Sequence, residues 1–338
     1  MTTQNHSGIS PSVFSYLPTN LESQCFSFNY YDAFYQDDTF RYPSFYEETI
    51  AYVSKTSGQI SSTLDSQRNI YREILKRLTL MSDALMRNVL KNIDCTEYIL
   101  KTILEKQQLK IIEQTIQKDF KNLQGRSAIL DCVAQDDKGI LYNIEIQQEN
   151  EGASPKRARY HSGLLDMNFL MNGHDFQELP ETYIIFITRN DILKQNRPIY
   201  HIQRRILEGN LPFEDEAHII YVNSSYQDNS KLGQLMHDFH CSNASDIFSD
   251  ILAERIRELK ETPEGVEHMC KEMDQLFKMG EEQGEKQGEK RGILIGKQQA
   301  ILRSILLISQ NMKVSPDKAM ELLELTPTER EMYKKNLY

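Results

Sequence analysis

The chain has no excess of positive charge. Its 338 residues include 39 Lys and Arg against 49 Asp and Glu, a formal net charge of −10. A broadly basic, nucleic-acid-coating surface is thereby excluded. Any polyanion must be held by a local basic patch or by metal ions. Cysteine is sparse and scattered: Cys25, Cys95, Cys132, Cys241 and Cys270 form no CxxC pair and no Cys–His zinc spacing. Their odd count argues against a disulfide scaffold and for a reducing, cytoplasmic setting. The N-terminus lacks the basic-then-apolar order of a secretory signal. No apolar run approaches the ~20 residues of a membrane span, so no membrane partner is expected. There is no G-x-S-x-G elbow and no P-loop, and metal-independent hydrolysis finds no support.

What is present changes along the chain. Residues 1–66 hold thirteen aromatics among polar and acidic residues, with few aliphatics and no regular period. This composition predicts a mostly disordered leader. Residues 67–126 show apolar residues every three or four positions, so helices are expected throughout. Ser82 is placed to cap one that opens at Asp83, and another is expected over 96–109. Lys and Arg outnumber acids twelve to seven in this stretch. After a hairpin at 127–148, Ser154 and Pro155 open a further helix, with Gly173 as its expected stop. Short β-branched runs at 182–188 and 218–224 read as buried strands, while 196–209 is ambiguous. The order predicts a mixed α/β core over 67–250. Beyond it, Gly280, Gly284, Gly288, Gly292 and Gly296 recur every four residues within a charged, marginally helical linker at 251–300. Two Pro-opened helices form a small module at 301–338. These C-terminal helices suit self-association into a homo-oligomer.

The hairpin carries the chemistry. In "LDCVAQDDKGILYNIEIQQ", Asp137-Lys138-Gly139 fits a three-residue loop with Gly in the left-handed position. Asp136 then faces Ile140, and counting outward places Asp131 directly opposite Glu145. Gln147 shares the Glu145 face, while Ile144 and Ile146 point to the other. Opposed residues have Cβ atoms about 4.5–5.5 Å apart, so the two carboxylates repel. Two readings remain open: a water-covered sheet face, or a divalent cation held between the acids.

Asp131, the hairpin and "IEIQ" resemble the PD-(D/E)XK nuclease superfamily, with an acid on one strand and E-x-K or E-x-Q on the next. The closer likeness is to its transposase and recombination-promoting nuclease family. It rests on "SDALMRNVL", the hairpin, "KRARYHSGLLD", "ELPETYIIFIT", "IYHI", "HIIYVN" and the Gly-Glu-Lys repeats, over about residues 70–300. The resemblance implies a restriction-endonuclease-like fold: a central mixed sheet flanked by helices, with a helical C-terminal extension. It implies a Mg²⁺- or Mn²⁺-dependent DNA endonuclease that hydrolyses phosphodiester bonds. Asp131 and Glu145 would ligate the metal, with the Ile146 carbonyl adding a ligand and Asp83 completing the shell. Gln147 stands where many members have Lys, and it carries no charge. Arg157 or Arg159 would contact DNA phosphate. His161 replaces an expected aromatic residue, and no catalytic role is expected for it. The alternative is a catalytically weak nuclease fold that acts as a DNA- or protein-binding assembly module.

Overall fold

A computed structural model describes residues 64–120 and 127–335. The expected leader lies outside the described residues up to 63, and its last three residues, 64–66, belong to helix α1 (Leu64–Arg77). Helices α2 (Asp83–Leu90) and α3 (Ile93–Leu104) follow. The helix expected over 96–109 thus starts and stops earlier. The Asn92 side chain caps its first turn, and Glu105 ends it in a left-handed conformation (φ 55°). Ser82 sits at the N-cap of α2, but its hydroxyl accepts the Thr79 N–H instead of capping the helix.

Residues 111–120 correct the helical expectation. They form β1 (Ile111–Phe120), an edge strand paired antiparallel to β2 (Ala128–Asp136). Leu109, Ile112, Ile116 and Phe120 are spaced three or four apart, which imitates a helix. The strand carries that spacing because its pairing is irregular. The register shifts between Ile111 and Glu113, and Gln117 has a φ of 53°. Ile116 and Phe120 consequently pack on opposite sides of the sheet, against strict alternation.

Strand β3 (Leu141–Gln147) completes the hairpin, and α4 (Pro155–Phe169) connects it to the parallel strand β4 (Thr182–Thr188). Helix α4 is capped by the Ser154 side chain as expected, but it ends at Phe169. Gly173, at φ +90°, serves a later turn. The ambiguous 196–209 stretch resolves into β5 (Ile199–Ile202) and the first arm of a small hairpin, β6 (Arg205–Ile206) with β7 (Leu211–Pro212). β8 (Ala217–Asn223) lies parallel to β4. The six-stranded sheet has the order β1-β2-β3-β4-β8-β5.

That sheet separates two apolar cores. Cys132, Ala134, Tyr142, Ile144, Ile185, Ile187, Ile220 and Val222 pack against α1, α2, α3, α5 (Lys231–Asp238), α6 (Asp250–Glu261) and the start of α7 (Pro263–Met312). Val133, Ile184, Phe186 and Tyr221 pack on the other side against Ala158, Leu164 and Leu165 of α4. Strand β4 is buried on both faces, which explains its unbroken apolar run.

Helix α7 continues for 50 residues through the glycine-period segment. A Cβ added at Gly288, Gly292 or Gly296 would meet open space, so packing does not demand these glycines. By length and composition, α7 is also the one described helix apolar enough to cross a membrane, over a window of mean hydropathy 1.2. Beyond it, α8 (Pro316–Leu322) and α9 (Pro327–Lys334) open at the Ser315 and Thr326 caps and bury Met320 and Tyr333 around Ile305 of α7.

Candidate active site

The hairpin geometry follows from its turn. Asp136 N–H donates to the Ile140 carbonyl (3.1 Å), and Gly139 N–H donates to the Asp136 carbonyl (3.1 Å). Gly139 adopts φ +84°, which an L side chain rarely tolerates. The Asp136 carboxylate accepts the Lys138 and Ile140 N–H groups and the Tyr142 hydroxyl, pinning the loop from within. The resulting register pairs Gln135 with Leu141 and Cys132 with Ile144. The next step outward sets Asp131 across from Glu145, as the turn length predicts.

At that step side chains replace the regular ladder. Asp131 N–H donates to Glu145 Oε1 (3.2 Å), and Ile146 N–H donates to Asp131 Oδ2 (3.1 Å). Each acid is fixed by the amide of the opposite strand. On the β1 side the pairing passes from Ile116–Cys132 to Lys118–Leu130, skipping Gln117 and Asp131. Asp131 thus lies inside β2 at a step where no backbone pair forms with either neighbouring strand, although the register toward β1 is the same on both sides of it.

The reading of a water-covered face fails. Helix α4 lies over it, and Glu145 is 0 % exposed. Arg157 Nη2 approaches Glu145 Oε2 at 3.5 Å, and His161 Nδ1 lies 3.6 Å from Oε1. Arg157 Nε donates to His161 Nε2 (3.2 Å). Bonded this way, a neutral imidazole carries its proton on Nδ1, toward the carboxylate. His161 is buried, with its ring tilted against Phe186 at 5.8 Å. It lines the carboxylate site, a place that the sequence alone does not give it. Asn143, also buried and two residues before Glu145, donates to the same carboxylate. Arg157 and Asp131 are only half-buried, so the site opens to solvent on their side.

Gln147 shares this face and is nearly buried, and its carbonyl accepts the Arg189 N–H (3.0 Å). Asp83 acts on Asp131 through space, its own carboxylate being paired with Arg87 one helical turn away. Arg159 lies on the exposed side of α4, away from the carboxylates, because residues two apart on a helix cannot share a face. The signal that would have found His161 is its i,i+4 spacing from Arg157 on a helix following the acid motif.

Burial, then the charge of Asp83, pushes Asp131 up to about 7, against the pull of the Ile146 N–H, Arg157 and Arg87. Burial and the charge of Asp131 also hold Glu145 well above the usual carboxylate range, opposed chiefly by Arg157. Both acids bind protons more tightly folded than unfolded. The pair's contribution to stability is therefore present at low pH and lost as pH rises from the ordinary carboxylate value near ~4 through the raised one. The metal-free protein is expected to have a lower urea midpoint at pH 8 than at pH 6. The gap should shrink in Asp131→Asn and when Mg²⁺ or Mn²⁺ is added to wild type. Urea titrations at both pH values check this, and a gap unchanged by either treatment would count against the electrostatics described.

A family model described as PD-(D/E)XK nuclease family transposase matches residues 90–287, more than half of the chain. That span contains Asp131, Glu145, Gln147, Arg157 and His161 and begins after Asp83. No curated protein and no solved structure matches the chain significantly.

Proposed function

The chain belongs to the PD-(D/E)XK nuclease family of transposases, and from that premise we propose that it hydrolyses DNA phosphodiester bonds with Mg²⁺ or Mn²⁺ held by Asp131 and Glu145. The observation that carries this reading is the opposed pair of acids. One is fully buried, and each is fixed by the other strand's amide. Hard divalent cations take carboxylate oxygens and keep water positions free for substrate phosphate. Two like charges confined between helices and sheet, with both proton affinities raised, fit such an ion. Asp83, whose charge reaches Asp131, and the Ile146 carbonyl complete the proposed ligand set.

The cation, when bound, supplies a water of lowered pKa and neutralises charge on the scissile phosphate. The chain's own residues do the rest. Gln147 orients a water or a phosphate oxygen but brings no charge. Arg157 supplies that charge from α4, at the solvent side of Glu145. His161 holds the Arg157 Nε and faces Glu145 with its other nitrogen, fixing both groups. Phosphate contacts of this kind give salt-dependent binding with little sequence preference. Exposed apolar side chains on α7, including Ile293, Leu294, Leu306 and Leu307, suit self-association of the C-terminal helices.

Supercoiled plasmid incubated with the full chain tests the reading. Nicking with Mg²⁺ or Mn²⁺, abolished by EDTA, is expected. Plasmid left intact with every divalent ion, but retarded on a gel, would favour a DNA-binding module without turnover.

A further inference from the structure

The scattered cysteines suggest no zinc site by spacing, yet the fold brings one of them to a histidine and an acid. Helix α5 ends at His237-Asp238, and Cys241 follows in the connection to α6. One ligand atom from each of these three residues lies within 4.8 Å of the other two. Cys241 Sγ is 3.5 Å from His237 Nδ1, and the same nitrogen is 3.6 Å from Asp238 Oδ1. A tetrahedral zinc with bonds of ~2.3 Å to sulfur, ~2.0–2.1 Å to nitrogen and ~2.0–2.2 Å to oxygen sets those separations at about 3.6 Å and about 3.4 Å.

The surroundings favour a built site over a chance meeting. Asp238 is a carboxylate with 0 % exposure, and its negative charge needs a counterpart. Phe248 N–H donates to its Oδ1 (2.8 Å) and Ser249 N–H to its Oδ2 (3.0 Å), which fixes the direction of the remaining lone pairs. The His237 ring lies 4.8 Å from that of Phe248, which sets its orientation. His237 is also partly exposed, at 37 % of its side chain, giving an ion a route in and leaving a fourth position for water. Without a metal, the thiol has the His237 and Asp246 carbonyls within 3.5 Å as acceptors. On metal binding that thiol would give up its proton, and the cation would take the proton's place beside the sulfur.

We propose that His237, Asp238 and Cys241 bind a zinc-class divalent ion that fastens the end of α5 to the start of α6. Thiolate, imidazole and carboxylate donors select such a borderline-soft ion over Mg²⁺. Its place is structural. Asp238 already holds the backbone of Phe248 and Ser249, the N-cap of α6, and the ion ties the His237 side chain and Cys241 to the same point.

Cobalt(II) titration of the reduced full chain tests this. The expected result is a near-ultraviolet thiolate-to-cobalt charge-transfer band that saturates at one equivalent and is displaced by zinc. Zinc should also raise the unfolding midpoint. Cys241→Ser should abolish the band and the shift, and His237→Gln should weaken both. Each variant must first show wild-type circular dichroism. Glu145→Gln should keep the band, because the proposed nuclease site lacks sulfur. Absence of the band in folded wild type, or its persistence in folded Cys241→Ser, would overturn the proposal.

Discussion

Glu145→Gln is expected to reduce Mg²⁺-dependent plasmid nicking on the order of 10³-fold while making the metal-free protein more stable above neutral pH. The first effect follows from the several kcal/mol of charge stabilisation that a metal ion supplies, at about 1.36 kcal/mol per decade of rate. The second follows from the burial of the carboxylate. Glu145 is fully buried beside Asp131, and both proton affinities are raised. A neutral amide of the same shape removes that repulsion and still accepts the Asp131 N–H through its oxygen. The two directions together separate loss of chemistry from loss of fold, since a misfolded variant cannot be the more stable one. Asp131→Asn should behave alike, with a smaller gain in stability because Asp131 is only half-buried. Nicking rates and urea midpoints at pH 8 check both variants. Near wild-type nicking in either would remove that residue from the site.

Arg157→Gln is expected to lower kcat about 10²-fold, the usual effect of losing one preorganised charge-stabilising donor. Gln147 stands where a lysine would place a positive charge, and it brings none to the acids. Arg157 reaches the same carboxylate from α4, 3.5 Å from Glu145, and keeps about a third of its side chain open to solvent. Without substrate it offsets the Glu145 charge. With DNA bound, the exposed part of its guanidinium faces phosphate, whose oxygens it matches in a bidentate fork. Arg157→Gln should therefore leave Mn²⁺ binding unweakened while kcat falls, and Arg157→Lys should recover part of the rate. A merely structural Arg157 would give the opposite pattern: weaker Mn²⁺ binding, with kcat restored at saturating metal.

Much of this site was legible because its determinants are local. The loop Asp137-Lys138-Gly139 sets the register of β2 and β3, and the alternation of β3 puts Asn143, Glu145 and Gln147 on one face. Those rules span only a few residues, so one sequence suffices to apply them. The Ser154-Pro155 start of α4 and the β4 run were readable for the same reason. The failures are of two kinds. The spacing over β1 predicts a helix because its irregular pairing, with Gln117 at φ 53°, produces a three-and-four spacing in a strand. The burial of Glu145 could not be read at all. It depends on α4 packing back over β3, a tertiary contact that turns an apparently solvated face into an enclosed one. The place of His161 depends on the same contact. Its significance comes from lying 3.6 Å from a carboxylate sixteen residues earlier, which only the packed helix brings about. The His237–Asp238–Cys241 cluster likewise depends on how the chain turns after α5.

The proposed nuclease chemistry requires Asp131 and Glu145 to share a divalent cation. Crystals soaked in Mn²⁺ and measured for anomalous scattering test it most directly. The expected result is a peak between the two carboxylates, within about 2.0–2.3 Å of an oxygen from each, absent in Glu145→Gln. Full Mn²⁺ occupancy elsewhere on the protein, with no peak between Asp131 and Glu145, would contradict the account.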